Sequence, residues 1–468
     1  MSHFALRSSA IEAALLGLLA LTLTRLPAEP GASPGVTLID ISKNDAALSS
    51  AFPGLAINAK NDRELGIAWR VYSLPIDTNA AKGSRIAECH VSISTDGAET
   101  FRDSNLMGLL RTRADGATPE LWYCNAPWVT FGPEGAIYAG GALFTANGVI
   151  GSTPKQGRAM VTRSADDGAH WSSGIPGITI GRLAPNLDGL GGGHQPKDTP
   201  WDGASGIADP QTGTMYSTAG LYVAASHDHG KTFGTVYSPN EAGWARQSGG
   251  SFAAAFGKIA TATFVKSTPT ADAACPCLAF AESSSEGASW TFHLVTGAID
   301  VSPTGRPHYP PIAADPAHVD HFAIATTSLD RRTLKIFFTE DGGESWAAAS
   351  PNPPPNGTLP VTTVDMPGVG YTSGGELVAA WRGFRAAGAY DVYAAMIRSA
   401  KFGPTIKLSE EGSVYPPLVQ LGNYSFGGGD FSTPVSGNSK DVFVAFPYSP
   451  GGIAQRTTLA KVPLADMR

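Results

Sequence analysis

The chain has 468 residues, of which 42% are hydrophobic and 16% charged, with 55 glycines and 35 prolines. This turn-rich composition is that of a globular protein, and it excludes a disordered chain and a collagen-like chain, which would need a Gly-X-Y period. The net charge of −7 and the lack of a basic run argue against a nucleic-acid partner.

The N-terminus has the pattern of a targeting segment. Arg7 precedes an apolar run over residues 13–24, which is shorter than the roughly 20 residues that a membrane span requires. Small and proline-rich residues follow this run. We interpret residues 1–34 as a signal peptide or leader, with a retained anchor as the alternative. The remaining residues, 35–468, are then expected to form one domain of an exported protein, whether secreted, periplasmic or at the cell surface.

Five octets of one form recur along the rest of the chain. The shared form is Ser/Thr, any residue, Asp, any residue, Gly, two further residues and an aromatic, and the octets start 70, 62, 57 and 56 residues apart. Such a period indicates repeated supersecondary units. In the first octet Ala98 occupies the glycine position, and in the fourth Ser285 replaces the aspartate. The octets are STDGAETF (94–101), SADDGAHW (164–171), SHDHGKTF (226–233), SSSEGASW (283–290) and TEDGGESW (339–346).

Each recurring residue type has a role in a tight turn. Asp and Ser side chains hydrogen-bond the turn backbone, glycine permits a positive φ, and the aromatic ring anchors the turn in the apolar layer below it. The octet acids are therefore predicted to be structural and not to bind metal. The residues in these roles are Asp96, Asp166, Asp228 and Asp341; Gly168, Gly230 and Gly343; and Trp171, Trp290 and Trp346.

On these octets the chain resembles the Asp-box, or bacterial neuraminidase repeat, proteins, whose best-known members are the sialidases. The resemblance covers nearly all of the chain after the leader. It implies an all-β fold, a β-propeller in which each octet joins the two outer strands of a blade. It is far less specific for activity, because one fold serves many functions.

A second repeat predicts the number of blades. Short polar-x-Pro steps introduce apolar or small-residue runs, which we interpret as inner strands. Seven inner strands predict seven four-stranded blades, with the six blades usual in sialidases as the alternative. The segment VTLIDIS (36–42) is expected to pair with the final blade and close the ring. The steps end at Pro127, Pro200, Pro310 and Pro367, and the other runs are 51–57, 247–256 and 429–435.

Two arginines are candidate ligands for a substrate carboxylate. Arg70 and Arg382 end second strands at equivalent positions, so they are expected at the face opposite to the octets. The planar guanidinium matches a carboxylate bidentately. The resemblance to sialidases implies three such arginines, and Arg385 or Arg113 would be the third. The alternative is that each arginine stacks on its neighbour, Trp69 or Trp381, or pairs with an acid.

The same face supplies candidate catalytic residues. The acid candidates are Asp198, Asp365 and Asp430. The resemblance implies a tyrosine nucleophile, for which Tyr123 and Tyr309 are candidates. The recurrence of polar residues before x-Pro favours the alternative that they cap turns. The Phe/Tyr-Arg-Ile-Pro motif of sialidases is missing, since the similar string TRLP (24–27) lies in the leader.

The loop GGGHQPKDTPWDG (191–203) is the most distinctive one in the chain. His194 and Trp201 are its candidate ligand-binding residues, and the tryptophan suits a sugar ring. A His/Asp metal site and a plain insertion between blades are the alternatives. No Cys/His spacing matches a zinc site. We therefore predict no cofactor and assign no metal, and a structural metal stays open.

The four cysteines suit an exported protein, in which they would form disulfides. Cys89 and Cys124 are the expected pair, whereas Cys275 and Cys277 would close a very small ring. Unpaired thiols are the alternative.

Two functional classes remain open. One is a glycoside hydrolase of sialidase type acting on an acidic sugar. The other is a propeller that binds a glycan or an extracellular protein without catalysis, acting as a structural or interaction module. We expect a monomer with no membrane contact beyond the leader.

Overall fold

The computed structural model describes a discontinuous set of residues, and the predicted leader, residues 1–34, lies outside it apart from Ser33. The described residues are 33, 35–43, 48–73, 88–106, 122–145, 157–172, 175–180, 205–220, 222–269, 275–297, 309–328, 330–351, 361–385, 389–410, 413–414, 419–421, 424–426, 433–449 and 455–468.

Seven antiparallel sheets follow one another along the chain and form the blades of a β-propeller. The strands are β1 (Thr37–Asp40); in blade 1, β2 (Leu48–Ile57), β3 (Leu65–Ser73), β4 (Glu88–Ser94) and β5 (Arg102–Asn105); in blade 2, β6 (Trp122–Phe131), β7 (Ile137–Thr145), β8 (Gly157–Ser164) and β9 (Ile175–Ile180); and in blade 3, β10 (Ser205–Ala208), β11 (Met215–Ala219) and β12 (Tyr222–Ser226). Blade 4 contains β13 (Ala245–Ala255), β14 (Lys258–Ser267), β15 (Cys277–Ser283) and β16 (Thr291–Thr296), and blade 5 contains β17 (Ile312–Ala314), β18 (Phe322–Thr327), β19 (Leu334–Thr339) and β20 (Ala347–Ala349).

Blade 6 contains β21 (Thr363–Tyr371), β22 (Leu377–Phe384), β23 (Ala389–Arg398), β24 (Lys401–Phe402), β25 (Ile406–Lys407) and β26 (Ser413–Val414). A hairpin of β27 (Val419–Leu421) and β28 (Tyr424–Phe426) follows, and blade 7 contains β29 (Val435–Gly437), β30 (Asp441–Tyr448) and β31 (Arg456–Pro463). The helical structure of the described residues includes a 3-10 turn at Leu464–Met467. The predicted all-β class and the count of seven blades are confirmed.

The N-terminal strand closes the ring, as predicted. β1 pairs with β31 in register Thr37 to Lys461, and it becomes the outermost strand of blade 7. The turn after β2 strengthens the closure, because Asp62 accepts hydrogen bonds from Ser373 Oγ at 2.9 Å and from Ser439 N at 3.1 Å. The first, sixth and seventh blades are therefore tied together at one point.

The core lies between neighbouring sheets and not within any single one. Successive side chains of a strand point to opposite faces, and in a propeller both faces are covered by the adjacent blades. Blades 7 and 1 share a cluster that includes Phe443, Leu65 and Trp69, while blades 6 and 7 share one that includes Tyr390 and Phe446. This two-sided burial explains why a strand such as β22 reads LVAAWRGF without polar alternation.

In blades 1, 2, 4 and 5 the octet forms the turn between the third and fourth strands, and in blade 3 the octet follows the third strand, β12. In the fifth octet, Gly343 N donates to Thr339 Oγ1 at 2.9 Å and Ser345 N donates to Asp341 Oδ1 at 2.9 Å. Trp346 Nε1 donates to Gly343 O at 3.0 Å. Hydrogen bonds from the Ser345 side chain and backbone and from Thr339 hold the pKa of Asp341 at about 2. The octet aspartate thus binds its own turn.

The two departures from the octet form keep this turn geometry. In the fourth octet, Ser285 Oγ accepts from Ser289 N at 3.0 Å and so replaces the carboxylate. In the first, Ala98 adopts a positive φ of 71°, a conformation that glycine tolerates better. The same turn therefore forms even where the usual aspartate or glycine of the octet is replaced.

Two disulfides are present among the described residues. Cys89 of β4 is bonded to Cys124 of β6, with 5.6 Å between the Cα atoms, so the bond joins blade 1 to blade 2. Cys275 and Cys277 are also bonded to each other. The expected pair is confirmed, and the small ring also forms.

Two of the four polar-x-Pro steps differ from their predicted place, whereas Pro310 precedes β17 as predicted and Pro200 lies outside the described residues. They were expected to precede the inner strands, but in blades 2 and 6 they lie inside β6 and β21. The pairing register shifts between Asn125 and Trp128 and between Asp365 and Gly368. Each of these two steps is therefore a β-bulge, because proline lacks the N–H that a regular ladder needs.

Among the described residues, no helix is long and apolar enough to cross a membrane.

Candidate functional site

The propeller has two unlike faces. Since the strands of a blade alternate in direction, the octets lie on the same face as the turns that leave the first strands. Contacts confirm this arrangement: Gly97 N of the first octet donates to Arg63 O at 2.9 Å, and Gly342 N of the fifth donates to Asp320 O at 3.0 Å. We call this the octet face. The starts of the first strands and the ends of the second strands lie on the opposite face.

Arg382 and Asp365 form a buried ion pair on the opposite face. Arg382 Nε donates to Asp365 Oδ1 at 2.9 Å, and Arg382 Nη2 donates to Asp365 Oδ2 at 3.1 Å. The side chains are 1% and 8% exposed. The guanidinium also lies over the ring of Tyr390, with its Cζ 5.0 Å from the ring centroid. A candidate clamp residue and a candidate acid are thus bonded to each other.

A second buried charged cluster lies in the same blade. Arg385 Nε is 3.2 Å from Asp391 Oδ2, and Lys407 Nζ is 3.4 Å from Asp391 Oδ1. Ser409 Oγ donates to Asp391 Oδ1 at 3.0 Å. The Asp391 carboxylate therefore organises the cations around it, and Arg385, a candidate third arginine, is part of this internal network.

Arg70 occupies in blade 1 the position that Arg382 occupies in blade 6. Arg70 pairs with Ala51 next to a bulge, just as Arg382 pairs with Asp365 next to a bulge. The predicted equivalence is therefore present in the strand register. Arg70 is 6% exposed. The two arginines share a position in the fold, and in the strand register Arg382 lies opposite Asp365 whereas Arg70 lies opposite Ala51.

The tryptophans beside these arginines pack on other rings. Trp69 stacks on His90 with 4.5 Å between ring centroids, and Trp381 stacks on Tyr393 at 5.8 Å. Of the two alternatives for Arg382, the structure shows pairing with an acid.

The remaining candidates are only partly within the structure. Tyr309 is described, and its side chain is buried. Tyr123 lies in β6, but its side chain is outside the described set, as are Asp198, Asp430, His194, Trp201 and Arg113. Among the described side chains, the structure therefore brings Asp365 and Arg382 together.

The octet face contains a cavity that the sequence analysis did not foresee. It has a volume of about 280 Å³, and the ends of the first strands of all seven blades line it. Aliphatic and aromatic side chains such as Ile57, Ile207 and Phe252 contribute to its wall, together with Ser373 and Ser436. The sequence signal was the small or apolar residue at the end of each inner strand, but only ring closure makes these ends meet.

The cavity wall is mostly uncharged. The ionisable residues of its lining are Lys60 and Tyr371. Burial, and then the negative charges of Asp315 and Glu340, raise the pKa of Tyr371, so its phenol stays protonated at neutral pH. The cavity thus combines apolar surface with neutral hydroxyls and one cation.

Among known proteins, the similarity of this chain is limited to solved structures. Neither a protein-family model nor a curated protein matches the sequence. The chain is similar to the Hadza microbial sialidase Hz136, with 17% identity and a TM-score of 0.47, over 90% of this chain and 66% of that chain. It is also similar to a protein of unknown function from Dyadobacter fermentans, with 14% identity and a TM-score of 0.45, over 92% and 100% of the two chains.

A third similar structure is Trypanosoma rangeli sialidase, with 10% identity and a TM-score of 0.42, over 92% of this chain and 60% of that chain. The chain therefore spans less than two thirds of the length of either sialidase. Similarity at this level carries no inference about activity.

Proposed function

We propose that this chain is an exported, sialidase-like Asp-box β-propeller that recognises a glycan and does not hydrolyse it. The ion pair of Arg382 and Asp365, in which both carboxylate oxygens accept hydrogen bonds from the guanidinium, carries the absence of hydrolysis, and the cavity on the octet face carries glycan recognition. A catalytically inactive protein-interaction module is the alternative.

This ion pair removes two groups that a sialidase-type mechanism would use. A carboxylate clamp must offer its N–H donors to the substrate, whereas Arg382 is buried and bonded to an internal acid. A general acid must lie within hydrogen-bond reach of the leaving-group oxygen, and Asp365 is enclosed with its partner. Separating them would leave an unpaired buried charge, which is costly. The pair therefore supports a structural role for this part of the face.

The cavity on the octet face is the better candidate for ligand binding. Its volume of about 280 Å³ lies just below the range of about 300–1,000 Å³ that is usual for ligand pockets, which suits one sugar residue. A partly exposed aromatic ring such as Phe252 can pack on the apolar face of a sugar. The hydroxyls of Ser373 and Ser436 can bond the sugar hydroxyls.

Two independent features support export. The N-terminal leader has the composition of a signal peptide. The Cys89–Cys124 and Cys275–Cys277 disulfides suit an oxidising compartment. Glycans are abundant ligands outside the cytosol.

A glycan array with the purified full chain tests the proposal, with a cavity variant and a matched control. Phe252→Ala removes a ring from the cavity wall, whereas Phe233→Ala removes a half-buried octet ring that does not line it. We expect a defined set of glycans to bind, with affinity reduced at least tenfold in Phe252→Ala and unchanged in Phe233→Ala. Absence of any glycan binding, or equal loss in both variants, would overturn the proposal.

A further inference from the structure

The turns that leave the first strands share one capping arrangement in four blades. In each, the first residue after the strand is Asn or Asp, and its Oδ1 accepts from the backbone N–H two residues later. The four bonds are Lys60 N to Asn58 at 2.9 Å, Gln211 N to Asp209 at 2.8 Å, Ala317 N to Asp315 at 2.8 Å and Lys440 N to Asn438 at 2.8 Å. The Oδ1 atom is therefore structural in all four turns.

The second side-chain atom distinguishes blade 5 from the others. Asn58 Nδ2 donates to Glu64, Asn438 Nδ2 donates to Asp62 O at 2.6 Å, and Asp209 Oδ2 accepts from Gly257 N at 2.6 Å. In these three turns the second side-chain atom, Nδ2 or Oδ2, is already used in a hydrogen bond to another part of the protein. Asp315 Oδ2 instead meets two imidazoles, with His318 Nδ1 at 2.8 Å and His321 Nδ1 at 3.7 Å.

We propose that Asp315, His318 and His321 form a binding site for a divalent transition metal of the zinc class. One ligand atom from each of the three residues lies within 4.8 Å of the other two. Ligands about 2.0–2.1 Å from a tetrahedral ion lie roughly 3.3 Å from one another, a separation between the two measured distances. Two imidazoles and one carboxylate are a donor set that suits zinc and its neighbours.

The site combines a fixed ligand with an open side. Asp315 is 1% exposed and held by the turn, whereas the His318 side chain is 53% exposed and the His321 side chain 26% exposed. The rings of His318 and His321 stack with 5.0 Å between centroids, so both imidazoles lie on the same side of the turn. The buried carboxylate is pre-oriented, small rotations of the imidazoles complete the set, and solvent or a ligand can take a fourth position.

Gly375 of blade 6 lies against the cluster, and a larger residue at this position would clash with it. A Cβ at Gly375 would lie 2.6 Å from His318 Nδ1 and 2.9 Å from Asp315 Oδ2. Gly375 has a positive φ of 85°, so both the backbone and the space require glycine here. The site also adjoins the cavity, since Ala314 and Pro316, on either side of Asp315, line it. The metal site does not depend on glycan binding, and its test is separate.

Calorimetric titration of the metal-free, tag-free full chain with zinc chloride tests the site. We expect one zinc ion per chain, and affinity at least tenfold weaker in His318→Gln, His321→Gln and Asp315→Asn. The Asp315→Asn change keeps the Oδ1 acceptor of the turn and removes the charged ligand atom. The control is His227→Gln, because His227 is an exposed histidine of the octet face whose Nε2 lies 3.0 Å from Glu286 Oε1, outside the cluster.

A second readout protects the test against misfolding. The His318 and His321 side chains are 53% and 26% exposed, and a glutamine side chain can still donate a hydrogen bond to Asp315, so the melting temperatures of the metal-free His318→Gln and His321→Gln variants should match that of the metal-free wild type. Cobalt(II) should give a visible absorption band that the double variant His318→Gln/His321→Gln lacks. No zinc binding by the wild type, or binding that the double variant retains unchanged, would overturn the proposal.

Discussion

Arg382 and Asp365 are bonded through two parallel hydrogen bonds, of 2.9 and 3.1 Å, across the first two strands of blade 6. The bulge at Met366 and Pro367 places Asp365 opposite Arg382 in the register. The pair is thus a product of the same local irregularity that interrupts the inner strand. The pair lies on the face opposite to the octets, where the catalytic residues were predicted, so it bears directly on whether the protein is an enzyme.

Breaking this pair should destabilise the fold strongly. Removing one partner leaves a buried charge, so Arg382→Ala and Asp365→Ala should each lower the free energy of unfolding by about 3–5 kcal/mol. The double variant should cost less than the sum of the two. Urea denaturation measures this. The control is Arg456→Ala, whose exposed pair with Asp40, at 3.1 Å, should contribute about 0–1 kcal/mol. Equal costs for Arg382→Ala and Arg456→Ala would contradict the prediction.

The octet glycines should differ in their tolerance of alanine. At Gly230, with φ of 77°, an added Cβ would meet Val161 at an ordinary 3.4 Å, so Gly230→Ala should cost only the left-handed strain of about 1–2 kcal/mol. At Gly343, with φ of 99°, the Cβ would lie 2.8 Å from Phe280 Cδ1. Gly343→Ala should therefore cost a further 1 kcal/mol or more, on the order of an overpacked core site. Chemical denaturation that ranks the two variants in reverse would refute this account.

Stability should depend on the charge of His90 at alkaline pH. Burial lowers the pKa of its imidazole, but hydrogen bonds to Asp103 and Glu88 outweigh burial and raise it from 6.5 to about 9. Because the folded pKa is the higher one, the stabilisation is fully present below pH about 6.5 and is lost as the pH rises through about 9. The free-energy difference between wild type and His90→Gln should shrink over this window, by at most about 3 kcal/mol. A difference that does not change between these pH values would show that His90 is not charged in the fold.

The two disulfides should contribute unequally. The Cys89–Cys124 bond spans 35 residues, and in the chain-entropy account a loop of this length is worth about 3–4 kcal/mol. The Cys275–Cys277 bond spans 2 residues and restricts the unfolded chain far less. Unfolding of Cys89→Ala/Cys124→Ala and Cys275→Ala/Cys277→Ala should show the larger loss in the first. A larger loss in the second would mean that local geometry, not loop length, decides.

The architecture was predictable because its signals are local. Each octet encodes its turn in eight adjacent residues, and the second strands and the closing segment around Ile39 appear as apolar runs. The pairing of Asp365 with Arg382 was not predictable, because it depends on a bulge and a register that a proline step does not specify. The sequence raised turn capping or catalysis for Asp365, and pairing with an unspecified acid as an alternative for Arg382, but it did not identify the two residues as partners.

The Asp315, His318 and His321 cluster shows the same limit. The spacing of three residues between its members can be read in the sequence, but spacing alone does not place three side chains around one point. Only the turn geometry brings the two imidazoles onto Asp315 Oδ2. The cavity likewise depends on strands that lie far apart in the chain and converge by ring closure.

The most direct test of the account is hydrolysis of a fluorogenic sialoside by the full chain. The buried pair of Arg382 and Asp365 predicts no release of fluorophore above the buffer rate. Turnover by the wild type above the buffer rate would contradict it. That result would establish a hydrolase in place of a recognition propeller.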